Sequence, residues 1–266
     1  MRSIEWERPD QIRLSNILSH AFELIGLEWR RLAVIALLFA WAPAEIVSFF
    51  QTHSAANAEV AAFGGSMTVN TLAQLARFVS IGYGSAVAIA TLLHRVDGER
   101  STIRVNLKEG LRALPIAVAT LILANGPGFY ALLNGMPKTY GSYWLFTLLN
   151  NISVLIWGVV FGSTLALVLD QNLRTFPAVV GAMQLSRGHR WRLAAIGLAV
   201  QTVFVLGQES VSFLGTIFLD YRDTHIQYAW LFLTGISGYA INVSIYKELS
   251  NIKNGPTASE ISNIFD

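Results

Sequence analysis

The chain contains no cysteine, and only 14% of its residues are charged. The first absence excludes disulfides, thiolate metal sites and thiol redox chemistry. The second leaves too little polar surface to cover a soluble globule of 266 residues, given that 53% are hydrophobic. The five histidines, at positions 20, 53, 94, 189 and 225, include no pair at the i,i+4 spacing of a helical metal site, so no zinc site and no cofactor are expected. There is no phosphate-binding Gly-rich loop ending in Lys-Ser or Lys-Thr, no His-Glu-x-x-His and no Gly-x-Ser-x-Gly. The first residues carry Arg2, Glu5, Glu7, Arg8, Asp10 and Arg13 before any apolar run, unlike a cleaved signal peptide.

What is present is a set of long apolar stretches, about 32–50, 72–93, 114–133, 143–169, 193–219 and 226–245. Each has the roughly 20 residues needed to cross about 30 Å of hydrocarbon as a helix. Sixteen of the nineteen Lys and Arg residues fall in alternate segments between them: Met1–Arg31, His94–Arg112, Asp170–Arg192 and Tyr246–Asp266. That is the positive-inside pattern of a six-span membrane protein with both termini in the cytoplasm. The expected fold is therefore all-α, a single polytopic membrane domain over 1–266, multi-pass in a bacterial cytoplasmic (inner) membrane. The net charge of +2 then reflects anchors facing anionic headgroups, and no nucleic-acid partner is expected.

Three approaches to spans read as short interfacial amphipathic helices. Leu14, Ile17, Leu18, Ala21, Phe22 and Ile25 share one face before the first span. Ile103, Leu107 and Leu111 alternate with Arg104, Lys108 and Arg112 before the third. Pro177 and Gly188 bracket a third such helix before the fifth. In the third span, Asn125-Gly126-Pro127-Gly128 predicts a break. After Gly255-Pro256, Thr257-Ala-Ser-Glu260 predicts a last capped helix. Shifting the chain by 161 positions matches seven of eighteen residues between the unit starting at Ala21 and that starting at Ala182, which points to a parallel internal repeat, 14–93 and 174–245.

The amphipathic helix leading into the first span, the segment Ala178–Arg192 leading into the fifth, and the tail running from Ile245-Tyr246-Lys-Glu-Leu249 to Ile264-Phe265-Asp266 carry a resemblance. On these residues the chain resembles the six-span family containing the membrane domain of some glycerophosphodiester phosphodiesterases, and the stand-alone YciC-like bacterial inner-membrane proteins. The resemblance implies an all-helical cytoplasmic-membrane protein without established chemistry. The phosphodiesterase activity of that family belongs to a separate soluble barrel, for which this chain has no room.

Charges inside a span need a reason. Glu45, Glu209 and Arg77 lie at heights of roughly 21, 26 and 27 Å above the inner arginine edges, at about 1.5 Å per residue. They are expected to pair, with Gln74 and Gln208 as neighbouring donors, either ordering the bundle or lining a small polar cavity. Asn150, Asn151 and Asn242 read as hydrogen-bonding glue between helices, and Gly158-x-x-x-Gly162 and Gly82-x-x-x-Ala86 as close-packing faces. Lipid headgroups are expected to meet Arg30, Arg31, Arg104, Lys108, Arg187, Arg190, Trp191 and Arg192. The leading functional expectation is a non-enzymatic membrane protein that binds lipid, or a membrane or cytoplasmic protein partner, in envelope homeostasis. A small permease with a polar intramembrane site and an intramembrane lipid-modifying enzyme are the alternatives.

Overall fold

The computed structural model describes residues 12–47, 65–99, 101–127, 130, 140–218 and 224–254. The helix expected over 257–265 and the residues before Ile12 lie outside the described residues. Among those described, the chain is helical throughout and contains no strand.

Helix α1, Leu14–Ala36, buries Ile17, Ala21, Leu24, Leu32 and Ile35 along one stripe, the i, i+4, i+7 spacing of a packed face. No break separates its amphipathic first half from the apolar stretch that follows, so the expected interfacial helix and the start of the first span are one rod. Gly26 is the only helix-weakening residue in between, and its cost of about 1 kcal/mol is too small to end a helix packed on both sides of it. The rod then loosens into a π turn at Leu37–Trp41, where the Ala42 N–H reaches back to the Leu37 carbonyl. Pro43 explains the irregularity, because it lacks the N–H that would bond the Phe39 carbonyl and its ring crowds that turn. The orphaned Phe39 oxygen accepts the Ser80 hydroxyl at 3.0 Å, which ties α1 to the next helix.

Helix α2, Gly65–Val96, is the central element. Every residue from Ala86 to Leu93 is buried, because α1, α3, α5 and α8 cover it on different sides. It ends where Gly98 adopts φ +73, with Glu99 N–H bonding His94 O and Gly98 N–H bonding Arg95 O. This is the left-handed cap that glycine makes without strain. Helix α3, Ile103–Ala124, joins the second expected interfacial helix to the third stretch, again without a break, and passes through Pro115. It stops where Asn125 caps it, its side-chain amide bonding Leu121 O at 3.0 Å, so the predicted interruption begins at that residue.

Helix α4, Tyr140–Phe161, and helix α5, Thr164–Asp170, divide the fourth stretch at Gly162-Ser163. A β-carbon on Gly162 would lie 2.3 Å from the Gly158 carbonyl oxygen, so the corner requires glycine. Helix α6, Thr175–Ser186, is the separate short helix expected before the fifth stretch, ending near Gly188 at φ +92. Helix α7, Arg190–Phe218, and helix α8, Thr224–Asn254, complete the bundle, with α8 packed chiefly along α1.

Among the described residues three helical stretches are long and apolar enough to cross a membrane: Leu72–Val96, Leu145–Asp170 and Arg190–Val211. The last is almost entirely unburied, with Leu198, Val203 and Leu206 each more than half exposed. In α4, Leu145, Leu148 and Ile156 are equally bare. Apolar surface on this scale requires an apolar surrounding.

Candidate functional site

The polar residues expected to meet near the far ends of the spans lie on α2, on α7 and on the segment that follows the π turn. Arg77 is half-buried on α2, and its Nε is enclosed without a hydrogen-bond acceptor. Gln208, half-buried on α7, likewise keeps an enclosed side-chain oxygen without a donor, and its neighbour Glu209 is exposed. Glu45 and Gln74 are half-buried on the first and second helical rods. Glu45 is not without a partner, and a group of six ion pairs lies elsewhere in the bundle.

They lie at the end of the bundle where α2, α5 and α8 finish and α3 begins. Lys247 bridges Asp97 at 2.9 Å and Asp170 at 3.2 Å, closing the ends of α2 and α5 onto α8. The buried Tyr246 hydroxyl donates to the other Asp170 oxygen. Burial and the Asp170 carboxylate both push the Tyr246 phenol up, so it stays a donor. His94 sits between Glu99, 3.0 Å from Nδ1, and Glu109, 2.9 Å from Nε2. Glu28 on α1 meets Arg31 at 3.3 Å and Arg95 at 3.8 Å. Fully buried Asn106 donates to Thr91 at 2.8 Å, and Tyr83 donates to the Leu107 carbonyl at 2.9 Å. Sequence reasoning counted these charges as membrane flanks and missed that they clasp one another. The available signal was the acidic residues interleaved with the basic ones at 94–112.

Tyr246→Phe removes the hydroxyl and leaves an Asp170 oxygen short of a donor. A hydrogen bond to a charged group is worth about 1.5–3 kcal/mol, so the variant is expected to lose about 2 kcal/mol in unfolding experiments in detergent. An unchanged stability would show that Lys247 alone satisfies Asp170.

Just past this clasp, Glu248 is fully buried, and neither carboxylate oxygen has a hydrogen-bond partner. Burial pushes its carboxyl up to about 7, while nearby Asn16 on α1 opposes the shift without reaching good hydrogen-bond geometry. Around it, Ile12, Ile17, Leu193, Ile196 and Leu249 form a second, smaller apolar core joining the starts of α1 and α7 to the end of α8.

The expected headgroup residues are all on the surface. Arg30 lies over the exposed Trp29 ring at 5.5 Å, and Arg31 is held by Glu28. Arg104 and Lys108 line the exposed side of α3, while Arg187, Arg190, Trp191 and Arg192 crowd the corner between α6 and α7. Trp191 is 90% exposed. Across the bundle, Asn151 accepts a 3.0 Å hydrogen bond from Gln201, the interhelical glue expected of it. Asn242 instead lines a cavity of about 210 Å³ with Ser85, Thr120, Trp157 and Tyr239, between α2, α3, α4 and α8. Among the described residues no group of three or more His, Asp or Glu side chains is placed to hold a metal ion.

No protein-family model matches the chain, and no curated protein or solved structure shows significant similarity to it.

Proposed function

We propose that this chain is a six-span, non-enzymatic protein of the bacterial cytoplasmic membrane, with both termini in the cytoplasm, that binds membrane lipid in support of envelope homeostasis. The observation that carries this reading is the bare apolar surface of α7 and α4, which water would not tolerate, bounded by the exposed cations Arg187, Arg190 and Arg192 at the α7 start. Apolar surface meets acyl chains and the exposed guanidinium groups meet phosphates, so one lipid satisfies both. The family resemblance carried by Ala178–Arg192 points the same way.

Reporter fusions test the topology. A fusion within 53–70 is expected to report the outer compartment and one within 95–108 the cytoplasm. The same compartment for both would overturn the six-span reading.

A small permease is the second reading, favoured by the polar-lined cavity beside Asn242. It requires that cavity to pass solute, so Asn242→Leu would abolish uptake in proteoliposomes.

A further inference from the structure

We propose that Arg112 and Arg174 together bind the phosphate of an anionic phospholipid in the cavity between α3 and the α5–α6 turn. This deepens the lipid-binding reading and rests on it.

The cavity, about 440 Å³, is lined by Arg112, Pro115 and Ile116 of α3, Val168 of α5, and the run Leu173–Pro177 that turns into α6. The turn is possible because Asn172 takes a left-handed conformation, φ 57, which asparagine tolerates better than most side chains. It sets Arg174 beside a helix far away in sequence. Elsewhere in the protein, Arg31, Arg95 and Lys247 have acidic partners. Among the described residues neither Arg112 nor Arg174 has one, although both border the same cavity. Two guanidinium groups that border one concavity and lack acidic partners favour an anion between them, and phosphate suits their forked donors.

The rest of the lining selects among phosphates. Pro115, Ile116, Val168 and Leu173 make apolar walls, and Phe176 stands 78% exposed at the rim. Inorganic phosphate would use none of this. A diacyl phospholipid would lay its glycerol and first methylenes against those walls. The first turn of α6 opens here with no side-chain cap on its N–H groups, which adds donors to a site already defined by the arginines.

The full-length protein, purified in detergent, would be offered equimolar phosphatidylglycerol and phosphatidylcholine and examined by native mass spectrometry. The wild type is expected to retain phosphatidylglycerol preferentially. Arg112→Gln/Arg174→Gln is expected to weaken that retention at least about tenfold, since each basic residue near a lipid headgroup contributes about 1 kcal/mol. The control Arg13→Gln/Lys253→Gln, which removes the same charge at exposed positions outside the cavity, should retain it. The single Arg174→Gln variant gives an intermediate loss and guards against misfolding of the double variant, which helical circular dichroism also checks. Equal loss in both double variants would overturn this site and leave the lipid-binding reading standing. No preference in the wild type would overturn both. Displacement of the lipid by millimolar inorganic phosphate would show that headgroup charge alone is read, and would sink the lipid assignment.

Discussion

At pH 8, Glu248→Gln is expected to be more stable than the wild type, and at pH 5 most of that difference should be gone. The Glu248 carboxyl is buried without a hydrogen-bond partner and has its pKa raised from 4.5 to about 7. Between those values the folded protein holds a proton that the unfolded chain has released. Wild-type stability therefore falls as pH rises from about 4.5 to about 7 and stays low above it. The full cost at pH 8 is on the order of 3 kcal/mol, from about 1.4 kcal/mol per pKa unit. Glutamine keeps the shape and has nothing to ionise. Unfolding in detergent, followed at both pH values, measures the difference. A variant equally stabilised at pH 5 and pH 8 would mean that packing, and not ionisation, is the cause. Because Asn16 of α1 is the polar neighbour of this carboxyl, any loosening at high pH is expected first at the α1–α8 contact.

Gly110→Val is expected to cost about 3 kcal/mol, the upper end of what overpacking a close contact does. Helices α2 and α3 approach so closely that a β-carbon at residue 110 would lie 2.5 Å from Val87 Cγ2 and 3.2 Å from the Val87 backbone nitrogen. The side chain could be removed, the backbone could not. Val87→Ala should therefore recover part of the loss in Gly110→Val, and a double-mutant cycle should show a coupling of about 1 kcal/mol or more. Fully additive effects would place the damage in helix propensity instead of the interface. Gly84, whose added β-carbon would meet Phe39 Cβ at 2.5 Å, marks the corresponding close approach of the π turn after α1 to α2.

Much of the helical layout was legible from periodicity and apolar length, and some local details from single residues. Asn125 stops α3 where a break was expected, and Gly188 sits in the left-handed turn after α6. The joining of interfacial and apolar segments into one rod was not legible. Charged residues such as Arg30 and Arg31 look like a boundary in a hydropathy pattern, yet they do not interrupt backbone hydrogen bonding, so α1 runs straight through them. The same holds for Arg112 in α3. The π turn escaped notice although its cause, Pro43, was in plain view, because the consequence depends on whether a neighbour such as Ser80 can satisfy the freed carbonyl.

Helical character, the apolar stretches and the alternation of cation-rich and cation-poor segments come from local composition, since each depends on residues within a turn or a span of one another. Which charges clasp and which stay open depended on the fold. Lys247 meets Asp97 and Asp170, while Arg112 and Arg174 meet no acid among the described residues, and nothing in spacing along the chain separates these cases. Coulomb energy depends on distance in space, and residues more than a hundred positions apart acquire that distance only when the helices pack.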